Sequence, residues 1–310
     1  MLVFMRRPER TYEGRPLPRP HDEIVDQGLG FDVATLLDRR RALRVLGLGA
    51  AGVVLTACST GSGGSSSPAT TTATASGSSA SAGEIPEETA GPFPGDGSNG
   101  PDVLEQSGIV RGDIRSSFGD SSGTARGVPM TLELTVSDLA GGGVPFEGVA
   151  VYVWHCDREG RYSMYSDGAE DQNYLRGVQV AGADGRVRFT SIVPACYSGR
   201  WPHIHFEVYP GQDSIADVAN VIATSQVALP RNMCDAVYAE PGYEQSVANL
   251  AGLSLRGDTV FGDDGGASQL ATVTGDVGRG YVVRLGVGVD TTTEGGAGSP
   301  PGGGAPPPSR

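Results

Sequence analysis

Lysine is missing altogether from this 310-residue chain, so all 23 basic residues are arginines. That absence excludes a Schiff-base lysine, a phosphate-cradling P-loop lysine and any lysine-based catalytic dyad. Basic charge is scarce in general. The net charge of -13 and a pI near 4.7 leave no basic face with which to neutralise a phosphate backbone. Aromatic residues make up only 6%, and there are four histidines and four cysteines. Glycine (48) and proline (21) are abundant, which favours turns, loops and tails over long helices. The weakly apolar run from Val45 to Ala57 is broken by Gly47, Gly49 and Gly52 and falls well short of the ~20 residues that span a bilayer.

That run reads instead as the apolar part of an export signal covering residues 1–58. Arg39, Arg40 and Arg41 precede it, in the manner of a twin-arginine signal, although a general secretory signal stays open. It closes on Leu55-Thr56-Ala57-Cys58, which resembles a bacterial lipobox whose cysteine becomes lipidated. The expectation is a cell-surface lipoprotein on the outer face of the cytoplasmic membrane, touching it only through Cys58. A short buried helix is the alternative reading. Residues 59–83, nearly all Ser, Thr, Gly and Ala, have too little apolar surface to offset ordering entropy and read as a disordered tether. The Gly/Pro-rich stretch 290–310 reads as a disordered tail. Between them, 84–289 is long enough to bury a sizeable core.

This central region reads as all-β. Met130–Val136, Val149–Trp154, Val187–Ile192, His203–Tyr209 and Tyr281–Val287 alternate apolar and polar residues or run β-branched and aromatic. Turns rich in glycine, such as Ala140–Gly143 and Ala183–Gly185, separate them. Such short strands predict a β-sandwich with long loops and few short helices, one of them over Val247–Leu255.

The metal-capable side chains are bunched. Arg200-Trp201-Pro202-His203-Ile204-His205 puts two imidazoles on one face of a strand, because side chains two apart point the same way. Two half-buried histidines would give the same pattern. Tyr197 lies just upstream, and Tyr162 follows Gly160-Arg161 beyond the strand that ends at Trp154. A phenol with a pKa of about 10 becomes a good ligand only beside a strongly Lewis-acidic cation, for which ferric iron is suited and zinc is not.

These residues resemble the intradiol ring-cleavage dioxygenases, the family of catechol and protocatechuate 3,4-dioxygenases, in an exported lipoprotein branch. The likeness runs from Thr89-Ala90-Gly91-Pro92-Phe93 through Ser107–Ile114 and Val149–Tyr165 to His205. It is sharpest in Gly160-Arg161-Tyr162 and in Pro194-Ala195-Cys196-Tyr197 with the Arg200–His205 run. The resemblance implies a β-sandwich catalytic domain and Fe(3+) as cofactor. It implies Tyr162 and His203 as equatorial ligands, Tyr197 and His205 as axial ones, and a hydroxide in the fifth position. A catechol-type substrate would displace Tyr197, which would serve as a base, and both atoms of O₂ would enter the product, a muconate-type diacid. Arg200 would stabilise negative charge on the ring.

Other candidates accompany these. Tyr165 is an alternative to Tyr162, and His155 reads as a structural or partly exposed residue rather than a partner of the metal site. Asp258, Asp263 and Asp264 lack the spacing of a calcium loop and read as a solvated turn. Three cysteines besides Cys58 suggest one disulfide in an oxidising compartment, Cys196–Cys234 or Cys156–Cys196, with one thiol left over. Gly143–Val151 also resembles transthyretin-like accessory domains, so a non-catalytic binding module is the alternative to an enzyme. A zinc hydrolase built on the histidine pair is a third reading. The spacing between Tyr197 and His203 is shorter than in protocatechuate enzymes, and neither the substituted catechol nor the oligomeric state is encoded legibly.

Overall fold

The structure is a computed structural model, which describes residues 83–293 together with two short paired strands, β1 (Thr11–Tyr12) and β2 (Arg15–Pro16). The export signal with Cys58 and most of the tether and tail lie outside the described residues. Nine further strands follow. They are β3 (Pro129–Asp138), β4 (Val144–Pro145), β5 (Ala150–Trp154), β6 (Arg176–Val180), β7 (Arg186–Ile192), β8 (His203–Tyr209), β9 (Ala223–Ala228), β10 (Thr272–Asp276) and β11 (Gly280–Val289). Two short helices, α1 (Arg231–Val237) and α2 (Glu244–Ala251), stand between β9 and β10.

The strands form two sheets. In the first, the order runs β10-β11-β3, and β3 carries both β7 and β4 on its other edge. The second runs β6-β5-β8-β9, antiparallel throughout. Leu132, Leu134 and Val136 of β3 and Val283 and Val287 of β11 share one buried cluster with Val151 and Val153 of β5 and Ile204, Phe206 and Val208 of β8. The apolar faces therefore lie against each other, which is a β-sandwich.

The predicted strands are all present, within a few residues at their ends. Strands β6, β9 and β10 were not legible, because RGVQV, ATSQVA and TVTGD lack a strong alternation of bulky residues. The predicted helix over Val247–Leu255 starts earlier, at Glu244, and stops at Gly252. Glu244 in the first turn complements the helix dipole, and the terminal glycine ends the run.

Strand β8 is buried on both faces. Its even-numbered residues enter the sandwich core, whereas His203, His205, Glu207 and Tyr209 face outward. That outer face is dry because the segment 83–118 crosses it as a strap and the loop 155–175 closes one end. Ala90, Phe93, Val103, Leu104 and Ile109 pack there on Ala150, Tyr152 and Trp154 of β5. The site thus sits on the back of one sheet, under loops.

Candidate metal centre

Strand β8 supplies the first two groups. His203 and His205 are each 2% exposed, and their Nε2 atoms lie 3.1 Å apart. Nδ1 of His203 donates to the Trp201 carbonyl at 2.5 Å, which leaves its Nε2 as an acceptor turned into the site. His205 stacks on Trp154, its partner in the β5–β8 register, with centroids 4.9 Å apart and planes within 7°. On its other side Gly91 (φ 77°) comes so close that a Cβ there would meet Cε1 at 2.8 Å. Glycine is needed at 91 for both the turn and the clearance.

Two phenols complete the cluster. The Tyr197 hydroxyl is 3.0 Å from Nε2 of His203 and 3.4 Å from the Tyr162 hydroxyl. Tyr162 is buried, with its ring against Phe93 at 4.9 Å, and Tyr197 is half-buried. The turn that delivers Tyr162 is organised by Asp157. This buried carboxylate accepts the N–H groups of Glu159 and Arg161, the Arg161 guanidinium and the Tyr174 hydroxyl. Gly160 (φ 86°) makes the turn.

Tyr165, the alternative to Tyr162, points elsewhere. Its oxygen accepts from the Gly95 N–H at 2.9 Å and donates to the Asn99 carbonyl. Arg200 donates from Nε to Asp258 at 3.1 Å and from Nη2 to the Gln226 amide oxygen at 2.7 Å. Gln226 in turn holds the strap through the Thr89 carbonyl.

Asp258 corrects the reading of a solvated turn. It is buried, and besides Arg200 it accepts the backbone N–H groups of Trp201, Val260 and Phe261. Burial acts to raise its carboxyl, but Arg200 and these donors outweigh burial and hold it below the usual range. Asp263 and Asp264 are exposed, as expected of a turn.

The electrostatics of the cluster suit neutral ligands awaiting a cation. Burial, helped by the charge of Arg200, lowers His203 to about 3, and burial with His203 itself drives His205 well below 6.5. Both imidazoles are therefore neutral with lone pairs available. Burial raises Tyr162 far above 10 and Tyr197 to about 12, the latter moderated by Arg200. Phenols so disfavoured as anions ionise here only beside a hard, highly charged cation. Two phenol oxygens and two imidazole nitrogens, with no carboxylate among them, fit ferric iron. Among the described residues no group of three or more His, Cys, Asp or Glu gathers as a zinc site would require.

Several organising residues escaped the sequence reading. Gln226 and Asp258 are drawn to Arg200 from distant segments, and Trp154 was assigned only to a strand. Arg176 is the largest omission. It is 1% exposed and pairs with no carboxylate among the described residues, yet every N–H of its guanidinium is used. Nη1 donates to the Pro94 carbonyl and the Tyr152 hydroxyl, Nη2 to the carbonyls of Phe93 and Ser163, and Nε to the Ser163 hydroxyl. It ties the strap over His205 to the loop carrying Tyr162. Two residues of that loop, Met164 (φ 72°) and Leu175 (φ 58°), hold left-handed backbone without being glycine, which costs on the order of 1–3 kcal/mol each.

His155 is buried rather than partly exposed. Nδ1 donates to the Cys156 carbonyl at 2.8 Å, and Nε2 accepts from the Ser191 hydroxyl at 2.7 Å. Burial lowers its pKa to about 4. The unfolded chain therefore takes up a proton first as pH falls below 6.5. Stability that is complete above pH 6.5 is lost between there and about 4, amounting to roughly 3 kcal/mol. His155→Gln is expected to flatten the dependence of melting temperature on pH in that window; a slope identical to the parent would contradict this.

The expected disulfide is absent, whichever pairing is considered. Cys156, Cys196 and Cys234 are all buried free thiols. Cys156 and Cys196 turn their sulfurs toward the backbone carbonyls of Ala195 and Arg200.

A family model described as Dioxygenase matches residues 99–211. Chlorocatechol 1,2-dioxygenase of Rhodococcus opacus is 42% identical over 55 residues, 18% of this chain and 21% of that protein. Hydroxyquinol 1,2-dioxygenase of Nocardioides simplex is 31% identical over 144 residues, 40% of this chain and 47% of the relative. The chain thus spans less than half the length of these curated relatives. In fold it is similar to an intradiol ring-cleavage dioxygenase from Tetranychus urticae, with a TM-score of 0.54 at 21% identity, covering 69% of this chain and 98% of that one. The matched segment and the two relatives thus make part of this chain similar to 1,2-dioxygenases, and the shared sandwich gives it the fold of an intradiol ring-cleavage dioxygenase.

Proposed function

We propose that this chain is a ferric-iron enzyme that cleaves the ring of a catechol-type aromatic between its two hydroxylated carbons, placing both atoms of O₂ in a muconate-type diacid. The observation that carries this reading is the convergence of Tyr162, Tyr197, His203 and His205, linked by contacts of 3.0–3.4 Å in a dry site. Iron bound there would supply the Lewis acidity that keeps a catechol deprotonated and makes its ring reactive toward O₂.

The remaining work falls to the protein. Tyr197, the half-buried member of the four, is placed to take a catechol proton. Arg200, held by Asp258 and Gln226, provides a fixed positive charge for an electron-rich ring without having to reorganise. Trp154 and the backbone at Gly91 hold the His205 ring in its plane, and the strap excludes bulk water. A binding module of the transthyretin-like kind would use Tyr162 and Tyr197 as plain core aromatics, which leaves their convergent hydroxyls without purpose.

The test is elemental and optical. Purified protein is expected to contain iron, to be wine-red from tyrosinate-to-iron charge transfer, and to consume O₂ with catechols while forming muconates. A colourless protein with full iron occupancy would sink the reading.

We also propose that the enzyme acts outside the cytoplasmic membrane on a lipid anchor at Cys58, a reading supported by the arginines and the apolar run before it. Among the described residues no helix is long and apolar enough to cross a membrane. Cys58→Ser should move the protein from the membrane fraction to the soluble one, and unchanged membrane association would refute the anchor.

A further inference from the structure

The outer face of the second sheet carries a column of three aromatic rings. Tyr152 and Trp154, two apart on β5, point the same way and stack with centroids 4.9 Å apart and planes within 22°. His205, opposite Trp154 in the register, continues the column at 4.9 Å and 7°. The far end is anchored. The Tyr152 hydroxyl donates to the Pro94 carbonyl at 2.7 Å and accepts from Nη1 of Arg176 at 3.0 Å.

The two histidines of the site are held by different means. His203 donates through Nδ1 to the Trp201 carbonyl, the usual arrangement for an imidazole whose other nitrogen binds a metal. Nδ1 of His205 is buried and meets no hydrogen-bond partner among the described residues. Its orientation therefore rests on packing. Trp154 covers one face, and the backbone of Gly91 approaches Cε1 so closely that a Cβ there would lie 2.8 Å away. The indole is unpartnered too, for Nε1 of Trp154 is buried with no acceptor among the described residues. An orphaned donor costs stability, so hydrogen bonding does not account for this side chain. What it supplies is a broad flat face against the imidazole.

We propose that Trp154 is a positioning residue whose stacked indole replaces the hydrogen bond that His205 lacks and fixes where its Nε2 points. The inference rests on the ring-cleavage reading above for its consequence at iron, and it adds the residue that aims one of the four ligands. Tilting the imidazole would open a gap at one edge of the stack and a clash at the other. Rotation within the plane is limited by Gly91 at Cε1. Without an acceptor at Nδ1 the ring gains no basicity from a neighbour, so His205 is the more weakly donating of the two imidazoles.

The experiment compares the parent with Trp154→Met, Trp154→Phe and Ile109→Ala. Ile109 lies in the same buried cluster beside Val178 of β6, so its truncation reports the cost of lost packing alone. Each full chain is titrated with ferric nitrilotriacetate, and iron affinity, the charge-transfer band and the thermal midpoint are read. Crystal structures of the metal-free parent and of Trp154→Met show the His205 ring directly. Trp154→Met is expected to lose about 10–100-fold in iron affinity, the range for removing an outer partner of a metal ligand, and to shift and broaden the band. Its His205 ring should leave the plane held in the parent. Trp154→Phe keeps a flat face and lacks the orphaned N–H, so its affinity should stay within about threefold of the parent's. Ile109→Ala should lower the midpoint and leave affinity and band unchanged.

An unmoved His205 ring in metal-free Trp154→Met would overturn the proposal. So would parental iron affinity in that variant, an equal loss in Ile109→Ala, or a loss in Trp154→Phe as large as in Trp154→Met. If Trp154→Met does not fold, Trp154→Phe decides, and a loss of about tenfold or more there overturns the proposal. A parent that takes up no iron, with the ring moving as expected, would fault the ring-cleavage reading and leave the positioning role standing. Normal iron uptake by the parent with an undisturbed Trp154→Met would fault the positioning role alone.

Discussion

Arg176→Met is expected to lower the melting temperature by about 10 °C. Removing the guanidinium strands the carbonyls of Phe93 and Ser163 in a dry environment, whereas the Pro94 carbonyl keeps the Tyr152 hydroxyl. A stranded buried polar group costs about 1–3 kcal/mol. Part of that loss is offset, because a buried cation without a carboxylate partner carries a desolvation penalty that methionine does not. A net loss of about 3 kcal/mol follows, and in a domain of this size each kcal/mol moves the midpoint by about 2–4 °C. Arg176→Lys should recover only part of it, since three donors on a point charge cannot reach five acceptor positions. The signature beyond stability is spectroscopic. With the strap and the Tyr162 loop no longer tied together, the iron-loaded protein should show a shifted and broadened charge-transfer band. A midpoint within 2 °C of the parent's and an unchanged band would show that the clamp does not organise the site.

Tyr162→Phe is expected to cost at least about 100-fold in oxygen uptake, since even partners that only orient a metal ligand are worth about 10–100-fold. On the proposed ferric-iron reading, iron content should fall, and the wine-red band should weaken as one of two tyrosinates is lost. The fold should survive, because the ring keeps its packing on Phe93 and the hydroxyl's recorded partner is Tyr197. Tyr165→Phe is the control. That hydroxyl serves the backbone of Gly95 and Asn99, so the variant should keep its iron and colour. Bleaching by Tyr165→Phe with Tyr162→Phe intact would reverse the assignment.

How much of this was legible depends on how local each interaction is. The period-two repeat of β8 places His203 and His205 on one face whatever lies around them, because strand geometry alone enforces it. Strands β3, β5, β7 and β11 were legible for the same reason. Strand β6 was not, since its Arg176 looks like a surface charge until Phe93, Pro94 and Ser163 are seen around it. Asp258 misled in the same way. A Gly-Asp-Thr sequence in a glycine-rich stretch has the composition of a solvated turn, and only the approach of Arg200 and the Trp201 N–H turns it into a buried anion.

By itself, then, the amino-acid order determined strands β3, β5, β7, β8 and β11, the paired imidazoles and, through family resemblance, the two phenols that belong with them. Tertiary structure alone decided that Tyr162 rather than Tyr165 faces the histidines, that Cys156, Cys196 and Cys234 stay unbridged, and that Arg200 is braced by Asp258 and Gln226. Side-chain alternation is a property of a few consecutive residues. The meeting of groups dozens of positions apart depends on how the strap, loops and sheets close over one another, and no short window of sequence contains that information.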